Sequence, residues 1–167
     1  NPRAFIPAAT SYSAGSLEQV EALRSAHQLG LGLLDVREGR PDAASARLEH
    51  MSDAAPEYAT LLEAEALLAR GRPDTAVALL EPDNAKSPPY MSDTEGLLAY
   101  NLPPSRDTLA RAYEAQGESY RAITEYETLT TVDPGSSDRR LIHPRYHFRL
   151  ARLYDAKGWG DRAKERY

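Results

Sequence analysis

The 167-residue chain contains no cysteine, which excludes disulfide frameworks, thiolate metal sites and cysteine nucleophiles. No run approaches the roughly 18 apolar residues that a helix needs to cross a bilayer, so no membrane partner is expected. The chain opens at Asn1 without a charged n-region and apolar h-region. No polar–apolar alternation of useful length argues for strands. What is present is 41% hydrophobic and 27% charged residues with a mean hydropathy of −0.58, the composition of a folding domain rather than a disordered tail. Twelve prolines and ten glycines punctuate it at intervals that suit many short helices.

Groups able to do chemistry are equally sparse. Gly30-Leu31-Gly32 lacks the third glycine and the preceding strand of a dinucleotide loop. His143 and His147 have a helical metal-ligand spacing, but Pro144 lies between them and no carboxylate pair completes a site. Glu63, Glu65, Asp133 and Asp138 fall on polar faces or in loops, with no enclosed pocket to tune a carboxylate. No serine sits in a nucleophile-elbow or Ser-x-x-Lys context. The expectation is therefore no catalytic residue, no cofactor and no metal.

The chain does contain a repeat. Gly39-Arg40-Pro41-Asp42-Ala43-Ala44-Ser45-Ala46-Arg47-Leu48-Glu49 returns 32 residues later as Gly71-Arg72-Pro73-Asp74-Thr75-Ala76-Val77-Ala78-Leu79-Leu80-Glu81, with eight of eleven positions identical. Looser copies start at Gly117 and Gly158. Each glycine can take the left-handed conformation that ends one helix, and the prolines suit the start of the next. A small residue follows five positions later (Ala44, Ala76, Ala122 and Ala163), where two antiparallel helices must approach closely. Leu109, Ala110 and Tyr113 share one helical stripe, and Leu150, Ala151 and Tyr154 repeat it. The pattern predicts four helical hairpins in an all-α fold.

These residues resemble the tetratricopeptide repeat, a 34-residue helix-turn-helix. Leu109, Ala110, Tyr113, Gly117, Ala122, Tyr126 and Pro134 follow its signature. Leu150, Ala151, Tyr154, Gly158, Ala163 and Tyr167 follow it again, with His147 where the family often has Trp. Asp35 and Glu63 depart from it, standing where Tyr and Leu are usual. The resemblance implies a right-handed superhelix of about four repeats, near 17–52, 56–82, 103–134 and a truncated 144–167. Insertions are expected at 83–102, with a short helix around 94–100, and at 135–143. Residues 1–15 read as an extended leader, followed by a domain over 16–167 whose first helix opens at the Ser16/Gln19 capping box. The stretch around Arg140–Phe148 resembles repeat arrays at the C-terminal end of larger bacterial proteins. With a last helix that reaches Tyr167 without a stop signal, the chain reads as a fragment of such a protein. The cytoplasm is favoured over the periplasm as its compartment.

In a stacked array the first helix of each pair lines a groove. The family register places Arg145, Phe148, Arg149, Arg152 and Asp155 there, with Arg111 from the preceding repeat; Leu33, Tyr58 and Leu61, beside Leu29, Val36 and Leu68, would form an apolar end. Arg145, Arg149 and Arg152 share one helix face whatever the register. Guanidinium groups bind carboxylates through paired donors. The expected partner is a protein or peptide bearing acidic residues or a free C-terminus, held by a non-enzymatic interaction scaffold. The bland reading pairs the arginines internally, with Asp138, Asp155 or Asp161. A chaperone-type carboxylate clamp is not matched, because Leu29, Leu33, Leu61 and Glu65 occupy its Lys and Asn places.

Three alternatives accompany this reading. The array is a regulatory or substrate-docking module of a multidomain enzyme such as a kinase or cyclase. Alternatively, the basic end binds single-stranded nucleic acid, since His143, Tyr146, His147 and Phe148 interleave with its arginines. Residues 1–137 carry 11 Lys/Arg against 21 Asp/Glu, net −10, and residues 138–167 carry 9 against 4, net +5. The acidic body disfavours nucleic acid, and the same asymmetry would permit head-to-tail self-association.

Overall fold

The computed structural model describes residues 7–51, 53, 56–84, 104–131 and 144–167. Among them every regular element is a helix: α1 (Pro7–Arg37), α2 (Pro41–Ala46) with a 3-10 turn (Arg47–His50), α3 (Pro56–Ala69), α4 (Pro73–Asn84), α5 (Pro104–Ala115), α6 (Ser119–Thr130), α7 (Pro144–Ala156) and α8 (Gly160–Lys164). Six of the eight α-helices among the described residues begin at proline, whose fixed φ and missing N–H cost nothing at the first helical position. Gly39, Gly71, Gly117 and Gly158 all have φ between 71° and 82°, the left-handed geometry that ends a helix at low cost only with glycine. The next amide closes each cap at three of them: Arg40 N to Asp35 O at 2.8 Å, Glu118 N to Tyr113 O at 2.8 Å and Trp159 N to Tyr154 O at 2.9 Å. Ala44, Ala76, Ala122 and Ala163 are all fully buried or nearly so. A small side chain therefore stands on the buried face of each helix that follows a glycine cap.

The chain divides into two compact units, Asn1–Gly71 and Arg72–Tyr167. In the first, α1 packs on α2 and α3. Ala44, Leu62 and Ala66 form its core, with Leu29, Val36, Leu48 and Met51 against them. A Cβ on Gly32 would stand 2.7 Å from Leu62 Cδ2 and closer still to Cδ1, so the missing side chain sets how near α1 approaches α3. The Asp35 carboxylate, 3% exposed, accepts from Arg40 Nη2 at 2.5 Å and Arg47 Nε at 2.6 Å. Arg70, at the end of α3, reaches Asp42 at 2.7 Å and Ser45 Oγ at 2.9 Å.

In the second unit each helix packs on its successor, α4 on α5, α5 on α6, α6 on α7 and α7 on α8. The interior is built from Leu80, Leu109, Ala110, Ala122, Tyr126, Tyr146, Leu150, Ala151 and Tyr154.

Three expectations differ from the structure. Residues 7–15 are helical rather than an extended leader, because α1 starts at Pro7, and Ser16 lies within that helix instead of capping it. Leu61 was expected on the groove but is 2% exposed; a continuous apolar face on α3 is consumed by packing. Leu29 and Val36 likewise pack on the first unit's core. Among the residues whose burial is described, α1 exposes Leu17, Val20, Leu23 and Leu34, which lie about 100° or more around the helix from that packed face. Residues 1–6, 85–103 and 132–143, including most of the expected insertions, lie outside the described residues.

Candidate functional site: an arginine face around Asp107

The sequence placed Arg111, Arg145, Arg149 and Arg152 on one face. The structure brings three of them to one carboxylate. Asp107, in the first turn of α5, is 3% exposed. Arg149 Nη1 donates to its Oδ1, and the Tyr126 hydroxyl donates to the same oxygen at 3.0 Å. Arg149 also donates to Tyr126 OH at 3.2 Å. On the other oxygen, Arg111 Nε stands 3.5 Å away and Arg145 Nη2 3.6 Å. The side chains of Arg111, Arg145 and Arg149 remain 26%, 33% and 30% exposed, so each lies between a buried anion and solvent. The bland reading paired the arginines with Asp138, Asp155 or Asp161; the carboxylate that Arg149 reaches is Asp107 instead, and Asp138 lies outside the described residues.

The helices explain the convergence. Arg145 and Arg149 are one turn apart on α7, which packs on α6, and Arg111 lies one turn beyond Asp107 on α5. Arg111 Nη2 also donates to Thr108 Oγ1 at 3.1 Å. Arg145 donates to Tyr146 OH at 3.3 Å, and its guanidinium sits 5.1 Å from that ring centroid. Tyr126 and Tyr146 pack with centroids 6.3 Å apart. Burial, and then the Asp107 charge, push the Tyr126 phenol well above its ordinary pKa. Burial works against the Arg149 charge, but Asp107 and Tyr126 outweigh it and hold the guanidinium pKa above its ordinary value.

Arg152 is exposed and, among the described residues, has no ion-pair partner. Phe148 is 54% exposed, edge-on to Tyr167 at 6.0 Å, whose hydroxyl donates to Asp155 at 2.7 Å. Leu33 and Tyr58 are half-buried and belong, with Leu61, to the first unit. His143 lies outside the described residues. Burial and the nearby Arg166 lower the pKa of His147. Among the described residues no group of three or more His, Asp or Glu is placed to hold a metal ion. No helix among them is long and apolar enough to cross a membrane. The arrangement places the Arg145 and Arg149 guanidiniums on the helix that also exposes the Phe148 ring. Packed pairs of short helices, each pair joined at a left-handed glycine, carry this face.

A second pattern was not read from the sequence. Tyr113 OH donates to Glu81 at 2.7 Å, and Arg121 bonds both that carboxylate and Tyr113 OH at 2.7 Å. Tyr154 OH donates to Glu127 at 2.5 Å, and Arg162 reaches the same oxygen at 2.7 Å. The signal was available: each Tyr stands four residues before its glycine, each Arg four after, and each Glu ten after the preceding glycine.

A family model described as tetratricopeptide repeat matches residues 58–82, a stretch that holds most of α3 and α4. No curated protein and no solved structure matches the chain.

Proposed function

We propose that the chain is a non-enzymatic interaction scaffold of the tetratricopeptide-repeat kind, with about four helix pairs wound in that family's right-handed superhelix. It binds an acidic segment, or a free C-terminus, of a partner protein. The observation that carries this reading is the arginine face of α7. Arg145 and Arg149 are tethered beside Arg111, and Arg152 and Phe148 extend the surface into solvent. The repeated glycine caps, the buried alanines and the match over residues 58–82 support the family reading. Guanidinium forks bind carboxylates in paired geometry, and an aromatic ring beside them adds apolar contact area.

The test is fluorescence anisotropy of a labelled hexa-aspartate peptide, with a hexa-alanine control. The scaffold reading expects salt-sensitive binding of the acidic peptide alone, weakened several-fold in Arg152→Glu with no change in melting temperature. Equal affinity for both peptides would refute it.

A further inference from the structure

The arginine face has an anion at its back, and simple electrostatics makes that a disadvantage. A buried carboxylate repels any incoming carboxylate, so Asp107 should weaken the binding proposed above. Its geometry argues the reverse. Long arginine side chains lose rotamer freedom when they bind, and each such loss subtracts from affinity unless it has already occurred in the free protein. Asp107 supplies that prior ordering. One carboxylate, itself fixed by the Tyr126 hydroxyl at 3.0 Å, is shared by Arg149 on Oδ1 and by Arg111 and Arg145 on Oδ2. These contacts link the first turn of α5 to α7 across 38 and 42 residues of sequence.

We propose that Asp107 is the positioning residue of this face: its buried carboxylate gathers the guanidiniums of Arg111, Arg145 and Arg149 into one fan, so that a partner's acidic segment meets cations already ordered. The proposal rests on reading the face as a partner surface. Asp107 touches no partner atom; it acts through the three arginines.

The two accounts predict opposite signs for Asp107→Asn in the full chain. Charge alone predicts tighter binding of the hexa-aspartate peptide, because a negative charge has left the face. Positioning predicts binding weakened about tenfold, the scale of ordering released long side chains. The salt dependence should be undiminished, since no cation has been lost. Nitrogen-15 relaxation at arginine Nε supplies a readout that a general loss of stability would not produce. At a temperature well below the melting midpoint, the Nε order parameters of Arg145 and Arg149 should fall while backbone amides of α5 and α7 stay rigid.

Tyr126→Phe guards against failure of the first variant to fold. It leaves every charge in place, removes the hydroxyl that holds Asp107 and Arg149, and should weaken binding a few-fold in the same direction. Unchanged or tighter binding in these variants, with the wild type binding normally, overturns the positioning role alone. A wild-type chain that ignores the acidic peptide overturns the partner-surface reading and this proposal with it.

Discussion

The hydroxyl of Tyr154 lies 2.5 Å from the Glu127 carboxylate, and the same relationship joins Tyr113 to Glu81 at 2.7 Å. In both cases an arginine from the following helix completes the contact. The Arg121 guanidinium lies 4.0 Å from the Tyr113 ring centroid, and that of Arg162 lies 4.4 Å from Tyr154. The second unit thus uses one three-residue lock twice, each time tying a helix pair to the helix before it. In the first unit the residue four before Gly39 is Asp35, and it recruits Arg40 and Arg47 instead. There the carboxylate sits on the long helix and the arginines come from the turn and from the segment after α2.

The lock predicts a specific mutational pattern. Tyr113→Phe and Tyr154→Phe each keep the buried ring and remove one hydrogen bond to a carboxylate, so each should cost about 1 kcal/mol in urea unfolding. Because the two locks share no partner, the double variant should lose the sum of the two to within about 0.5 kcal/mol. Strong non-additivity would mean that the locks do not act as separate joints.

Two glycines of α1 separate helix propensity from packing. Nothing lies within 4 Å of a Cβ added at Gly30, so Gly30→Ala should stabilise by about 1 kcal/mol through propensity alone. The same change at Gly32 runs into Leu62, which is fully buried. Overpacking there typically costs about 1–3 kcal/mol and should outweigh the propensity gain. Thermal melts of the two variants should move in opposite directions. A Gly32→Ala variant as stable as Gly30→Ala would show that α1 and α3 are not in close contact.

What could be read from the sequence was local. A left-handed glycine and a small residue five positions on are fixed by geometry within a single turn, and both recur four times. The start of α1 was misread because Pro7, Ser11, Ser13 and Gly15 have loop-like composition, although proline suits a helix's first position and Ala8, Ala9 and Ala14 favour its continuation. Periodicity gave each helix an apolar face but not the neighbour that would cover it. Leu61, Leu29 and Val36 were therefore set on a surface they do not form. The i, i+4 spacing marks Asp107 and Arg111 as neighbours, but nothing local points to Arg145 and Arg149, which come from α7, about 40 residues away.

That convergence changes what a charge reversal on α7 should do. Arg149→Glu would place a carboxylate beside buried Asp107 and strip Tyr126 of a partner, costing on the order of 3 kcal/mol. This is at the lower end for breaking a buried pair, because the Arg149 side chain keeps 30% exposure. Arg152→Glu, three residues along and exposed, should leave the melting temperature within error. Differential scanning calorimetry of the two variants separates the structural arginine from the surface one. Equal stability would mean that the Arg149–Asp107 pair contributes little in solution.

Stability should fall at both ends of the pH scale, for opposite reasons. The Arg40 and Arg47 hydrogen bonds hold the Asp35 carboxyl below its ordinary 3.8, and Tyr113 and Arg121 hold Glu81 below 4.5. A carboxylate depressed by folding stabilises fully above its unfolded pKa, and that contribution is lost as pH falls through the folded value. Asp35→Asn and Glu81→Gln should each flatten the acid limb of a stability profile below about pH 4.5. At the alkaline end, burial and neighbouring carboxylates raise Tyr126 and Tyr154 above 10.0. A phenol raised by folding stabilises below its unfolded pKa, and the effect is lost as pH climbs from 10 toward the folded value. Absorbance at 295 nm should therefore show part of the chain's ten tyrosines ionising late, together with loss of helical circular dichroism. Tyr126→Phe should shrink that late phase. If all the tyrosines ionised near pH 10 in a chain still fully helical, the buried contacts of Tyr126 and Tyr154 would not exist in solution.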